Sequence, residues 1–388
     1  MYQFDRLIER RGTNSLKWKV KENELPMWVA DMDFQTAPEI IEALHKRVQH
    51  GVFGYTVVPD SWREAVSDWW ERRHHFRIEK EWLLFCTGVI PAISAAVSSM
   101  TAPGEQVLVL SPVYNHFYIS IEENGRMAAE CRLRYQDGQY HIDWESFEQR
   151  LAEPKTTMLL LSNPHNPTGN IWTADTLAEI GRLCAKHQVL VLSDEIHCDL
   201  TDPGFEYVPF ASVSELCAQN SITCIAPTKT FNLAGLQTAA VFAPNPGLLE
   251  KMKKALQIRD AGQPGAFAIE AAEAAFTRGE PWLDGLREYI AENKNLVCSY
   301  IKERLPQVKV VSSHATYLMW LDFGAVTDDS SRLCRYIREK TGLYMNVGAL
   351  YRGNGDTFAR LNVACPKTRI EDALRRLEAG VKGYVEEK

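Results

Sequence analysis

The chain has 388 residues, 45% of them hydrophobic and 24% charged, which is long enough for two or three domains of roughly 100–200 residues each. That composition excludes a disordered chain and a collagen-like repeat. Lys plus Arg number 43 and Asp plus Glu 50, so the formal net charge is −7, with no overall electrostatic reason to bind nucleic acid or an anionic membrane.

The first ten residues include Asp5, Arg6, Glu9 and Arg10 and lack the apolar core of a signal peptide. No stretch approaches 18 uninterrupted apolar residues, so no transmembrane helix is expected. Next come Thr87-Gly-Val-Ile90 and an apolar helical run over 92–100. Short β-rich runs follow at 107–110, 158–161, 189–192, 222–226 and 238–243, several ending in Pro, Asn or Asp clusters. Continuous apolar runs of this length are typical of strands buried on both faces. A helix is predicted over 174–187, with Leu177, Ile180 and Leu183 at helical spacing and Thr173 as its cap. Alternating strands and helices imply an α/β fold around a mostly parallel sheet. Beyond a junction near Gly279-Glu-Pro281 the pattern changes to α+β. Helices are predicted over 288–304, 330–340 and 369–385, with strands over 308–312, 317–323 and 358–364. The nine cysteines are scattered, form no Cys-x-x-Cys pair and are odd in number, which fits free thiols and a cytoplasmic protein.

In open α/β sheets, ligands collect at the carboxyl ends of the strands. Asn163-Pro-His-Asn-Pro-Thr-Gly169 follows one strand, Asp194-Glu-Ile-His197 the next, and Ala226-Pro-Thr-Lys-Thr-Phe-Asn-Leu-Ala-Gly235 the next. One site would therefore gather an amide, a carboxylate, an imidazole and a lysine. Each alone is weak: an Asp at a strand end is usually a helix cap, and Asn-Pro repeats are usually turns. Their order and spacing together are specific. They resemble the aspartate-aminotransferase family of pyridoxal-phosphate enzymes, class I/II and fold type I. Pro26-Met-Trp-Val-Ala-Asp-Met-Asp-Phe34, Asn163 to Pro167, Ser193 to His197 and Lys229 to Gln237 further resemble its MalY/PatB branch. That branch contains cystathionine β-lyases and related C–S lyases. The likeness runs from Phe4-Asp-Arg6 to Arg360-Leu-Asn362 and beyond, so no appended DNA-binding domain is expected.

The resemblance implies pyridoxal 5'-phosphate as cofactor and assigns roles residue by residue. Lys229 holds the cofactor covalently and moves protons; desolvation beside the cofactor lowers a lysine's pKa and makes it useful as a base. Asp194 lies against the pyridine nitrogen and keeps it protonated. Asn166 meets the cofactor's 3-oxygen and the substrate. Tyr114 stacks on the ring. Gly88, Val89 and Ile90 open a helix whose free N–H groups suit a phosphate dianion, and Thr228 adds a hydroxyl. His197 replaces the Tyr of many relatives, and is read either as a donor to the 3-oxygen or brace for Asp194, or as packing behind them. Arg360 grips the substrate α-carboxylate as a bidentate guanidinium, with a backbone contact from Ala30. Tyr55, in Phe53-Gly-Tyr-Thr56, crosses a homodimer interface to the phosphate of the neighbouring subunit. Ala226 and Gln237 depart from the Ser and Arg of many aminotransferases and leave the exact phosphate ligands open.

The implied domains are a large cofactor-binding domain, 46–280, and a small domain formed by 1–45 and 281–388. The implied reaction is β-elimination of L-cystathionine or another S-substituted cysteine to a thiol, pyruvate and ammonia, within methionine and cysteine metabolism. The same residues would serve an aminotransferase, and a non-catalytic, partner-binding role on this fold is a third reading. No metal site is expected: His74 and His75, beside Arg72 and Arg73, point different ways on a helix and read as a solvated face.

Overall fold

A computed structural model describes residues 2–387. Seven strands form the central sheet: β1 (Leu83–Cys86), β2 (Gln106–Ser111), β3 (Met127–Arg132), β4 (Thr156–Ser162), β5 (Leu190–Asp194), β6 (Ser221–Ile225) and β7 (Ala239–Phe242). Their order is β1-β7-β6-β5-β4-β2-β3. Only β7 runs antiparallel to its neighbours, so the mostly parallel sheet expected from the sequence is present. Five strands match the apolar runs. β1 and β3 were not anticipated. β3 is an edge strand of partly exposed Ala and Glu, with no β-branched residue to mark it.

The helices that bear on the site are α1 (Asp60–His74), α2 (Val89–Met100), α3 (Ala174–Lys186), the single turn α4 (Pro227–Thr230), α5 (Glu280–Arg304), α6 (Ser330–Thr341) and α7 (Lys367–Glu386). Side chains of a strand alternate between faces. Val107, Val109, Met158 and Leu160 therefore share a cluster with Ala92, Ile93 and Ala96 of α2. Their neighbours Leu108, Leu110, Leu159 and Leu161 join Leu177, Ile180 and Leu183 of α3 on the other side. Burial on both faces explains why these strands read as unbroken apolar runs. Thr173 caps α3 as predicted, its hydroxyl accepting the Thr176 N–H at 3.2 Å.

A second sheet contains β8 (Lys309–Val310), β9 (Leu318–Asp322), β10 (Asn346–Val347) and β11 (Phe358–Asn362), in the order β8-β9-β11-β10 and antiparallel throughout. α5 begins eight residues before the predicted start. Pro281 is accommodated in its first turn, where no intrahelical N–H is needed, so Gly279-Glu-Pro281 opens a helix. The N-terminal segment is tied to this half of the chain: Leu25–Pro26 pairs in parallel with Leu343–Tyr344. Buried Asp33 receives Arg10 at 2.7 Å, Lys17 at 3.2 Å and Arg369 of α7 at 3.0 Å. These ties support a division into 46–280 and 1–45 with 281–388, which we propose; the helix Pro38–His50 spans the boundary and packs against the helix Ala268–Arg278. Among the described residues, no helix is long and apolar enough to cross a membrane.

Candidate active site

The carboxyl ends of β4, β5 and β6 and the start of α2 surround a cavity of about 230 Å³. Its walls include Ala30, Gly88, Val89, Ile90, Tyr114, Asn166, Asp194, His197, Thr228 and Lys229, ten of the twelve residues expected from the sequence. Arg360 stands beside it. Its Nη1 donates to Asn166 Oδ1 at 3.2 Å and its Nη2 to the Trp28 carbonyl at 2.9 Å, while its buried Nε has no partner. Tyr55 is the exception. It is fully exposed, and within one chain the fold does not bring it to the cavity.

Lys229 lies in α4, directly after β6. Its Nζ donates to the Ala30 carbonyl at 2.6 Å, and Tyr317 Oη donates to the same carbonyl at 3.0 Å. Burial pushes the amine down to about 8, helped by the charge of Arg360 and opposed by Asp31 and Asp194. Asp194 ends β5. Burial pushes its carboxyl up to about 7, although Oδ1 accepts the Ile196 N–H at 3.2 Å. His197 is driven down to about 3 by burial and then by the charges of Lys229 and Arg360, so its ring is neutral at physiological pH. Its Nδ1 is buried without a hydrogen-bond partner.

α2 meets the cavity with its N-terminus. Gly88 precedes the helix, no side chain caps it, and no acidic residue occupies its first turn. Its first N–H groups are therefore open to an anion. A Cβ at Gly88 would come within 3.2 Å of Pro91 Cδ, a tight contact with the first turn of the helix. Of the two departures noted above, Gln237 lines the cavity from a left-handed backbone (φ 51°), while Ala226 is buried and does not.

Several site residues escaped the sequence reading. Ser162, at the end of β4, lines the cavity, and its Oγ accepts the Asn166 N–H at 3.2 Å; the rule of strand ends could have found it. Tyr317 shares the Ala30 carbonyl from a segment with no motif of its own. The segment 28–34 is fastened by Asn232, whose Nδ2 donates to Met32 O and Phe34 O at 3.0 Å each. Asn362 Nδ2 donates to Val29 O and Asp31 O, both at 2.6 Å. These bonds explain why the Pro26 to Phe34 stretch can present one backbone carbonyl at a fixed place.

The expectation of a solvated face at Arg72 to His75 is corrected for His74. Its side chain is 6% exposed, and Nε2 lies 2.9 Å from Asp199 Oδ1. His75 is exposed. Helical periodicity correctly separated the two rings, but could not reveal which of them faced the protein.

Residues 23–377 match the family of class I and II aminotransferases. The chain belongs to this family. It is 42% identical to cystathionine beta-lyase PatB of Bacillus subtilis, over 97% of this chain and 99% of that one. It is 32% identical to protein MalY of Escherichia coli, over 97% and 98%. In structure it is similar to cystalysin of Treponema denticola, which contains a pyridoxal 5'-phosphate cofactor, with a TM-score of 0.95, 33% identity and coverage of 99% of both chains. The fold-type-I arrangement expected from the motifs is therefore present. The cavity also fits that cofactor by its own chemistry. It offers an open helix N-terminus for a phosphate, a carboxyl whose pKa is raised by burial, an unpartnered imidazole nitrogen, and a lysine whose pKa is lowered to about 8.

Proposed function

We propose that this protein is a pyridoxal-phosphate-dependent C–S lyase of the cystathionine β-lyase type. It converts an S-substituted L-cysteine such as cystathionine, and water, to a thiol, pyruvate and ammonia. The observation that carries the reading is Lys229, a half-buried residue whose amine has its pKa lowered to about 8, in one cavity with Asp194 and the α2 N-terminus. Lyase rather than aminotransferase rests on the 42% full-length identity to PatB.

Pyridoxal phosphate, when bound, supplies an electron sink for charge developing at the substrate's α-carbon. Lys229 would hold it covalently. Asp194 would keep a proton on its ring nitrogen, with Tyr114 against the ring and Asn166 and His197 at its polar edge. Gly88, Val89, Ile90 and Thr228 would receive its phosphate. The neutral Lys229 Nζ accepts the proton from the α-carbon, and the Ala30 carbonyl aims that amine. Arg360, already oriented by Asn166 and Trp28, binds the α-carboxylate and aligns the α-proton with Lys229. The proton taken up by Lys229 Nζ would then be available to the thiolate that leaves with the electrons of the Cβ–S bond.

A screen of pyruvate and thiol release across cystathionine, cystine and S-alkyl cysteines tests this function. If a new amino acid appears instead when a 2-oxo acid is supplied, the protein is an aminotransferase. In the same assay, Arg360→Ala should weaken substrate affinity roughly ten- to 150-fold, the worth of about 1.5–3 kcal/mol for a charge-assisted pair. The bound cofactor's spectrum should stay intact, and Arg360→Lys should rescue only partly, because an ammonium cannot present two parallel donors. Expulsion of the cofactor by Arg360→Ala would make Arg360 structural.

We further propose a homodimer in which Tyr55 serves the neighbouring subunit's site. Tyr55 is absent from its own cavity and sits among exposed Val52, Phe53 and Val57, an apolar strip that a second copy would cover. Given a Tyr55→Phe enzyme badly impaired alone, mixing it with Lys229→Ala chains should restore activity through hybrids with one intact site. A monomer by light scattering at working concentration would overturn this. A cytoplasmic location is consistent with nine free cysteines, eight of them buried.

A further inference from the structure

One buried carboxylate outside the cavity joins the two segments that carry Asp194 and Lys229, and also contacts α1. Asp199 follows Asp194 by five residues and is 3% exposed. Its Oδ2 accepts the Thr230 hydroxyl at 2.8 Å. Its Oδ1 accepts Trp69 Nε1–H at 2.9 Å and lies 2.9 Å from His74 Nε2. Thr230 is the residue next to Lys229 in α4, and Trp69 and His74 belong to α1. The segment that carries Asp194 and His197 is thereby bolted to the turn that carries Lys229, and both to a helix outside the sheet.

Cys198 completes a cluster in which ligand atoms of His74, Cys198 and Asp199 lie within 4.8 Å of one another. The donor pattern does not suit a cation. Both Asp199 oxygens are engaged by N–H and O–H donors, and Arg73 and Arg287 line the same cleft with further positive charge. Burial works to raise the Asp199 pKa, yet His74, Thr230 and Trp69 together hold it below the usual carboxylate value. A charge kept this far from water, on a partner set this complete, implies a defined geometry. The geometry it defines is that of Thr230.

We propose that Asp199 is a positioning residue for Lys229, acting through the Thr230 hydroxyl to hold the amine in register with Asp194. The proposal rests on the reading of Lys229 as the reactive amine. It is tested separately from that reading, because Lys229 stays intact in the variants below. Misplacing a reacting group by about 1 Å can cost on the order of 100-fold in rate.

The experiment uses cofactor-loaded Thr230→Val, which keeps the shape and removes the hydroxyl, Thr230→Ser, which keeps the donor, and Trp69→Phe, which removes a donor to the same carboxylate from the α1 side. Thr230→Val should lower kcat roughly 10- to 100-fold, with KM changed less than about twofold. It should also alter the visible circular dichroism of the bound cofactor, a signature that lost stability alone does not move. Thr230→Ser should recover both. Trp69→Phe should lower Tm and leave kcat and the dichroic band unchanged. If Thr230→Val does not fold, Thr230→Ala replaces it with the same expectations. A kcat within twofold of the parent in the hydroxyl-less variant, failure of serine to rescue, or an equal loss of kcat in Trp69→Phe would overturn the proposal.

Discussion

Lys229→Ala protein should lose the borohydride-reducible link to its cofactor and nearly all turnover. Two functions disappear with one side chain. The first is the covalent anchorage of the cofactor. The second is the base: positioned proton transfer contributes about 10²–10⁴-fold by itself. Nζ is held 2.6 Å from the Ala30 carbonyl, so no mobile surface lysine can substitute for it at the same point. Mass spectrometry after borohydride treatment checks the link. The parent chain should gain the mass of the reduced cofactor on the peptide containing Lys229, and the variant should not. An unchanged reducible link in the variant would disprove the assignment. A second readout follows from the lowered pKa. In cofactor-free parent protein, acylation of Lys229 should rise with pH through a midpoint near 8, because only the neutral amine reacts and burial favours that form. A midpoint near that of an ordinary lysine would show that the amine is solvated.

Asp194→Asn should still bind cofactor and lose about 10²–10³-fold in pyruvate release, the equivalent of roughly 2.7–4 kcal/mol of electrostatic support. The carboxyl sits at the end of β5, buried, with its pKa raised to about 7. Burial raises that value and Lys229 only partly offsets it; a protonated ring nitrogen would add a positive partner. Next to such a cation the carboxylate form is favoured; the neutral amide offers no charge to hold the proton. The substitution should not harm the fold. Asn keeps an oxygen for the Ile196 N–H, so the local hydrogen bond at the end of β5 is retained. Cofactor content by absorbance, Tm and turnover thus separate the three possibilities. Near-normal turnover would end the role assigned to Asp194, and loss of cofactor would make it an anchor rather than an electrostatic partner.

Local features could be read from the residues alone. Strands β2, β4, β5, β6 and β7 were legible because burial on both faces demands unbroken apolar runs, and α3 because its apolar spacing and Thr173 cap are both local signals. The motifs after β4, β5 and β6 placed Asn166, Asp194 and Lys229 at strand ends, where a parallel sheet makes them converge. Features that depend on distant contacts emerged only in the folded chain. Arg360 reaches Asn166 across 194 positions, and Tyr317 reaches Ala30 across 287. The edge strand β3 is held by pairing with β2 rather than by its own composition. His74 turned inward because Asp199, 125 residues away, waits there as a buried acceptor. Periodicity records which residues share a face, but the partner of that face is chosen by the packing of the whole chain, where a buried charge must find its counterpart.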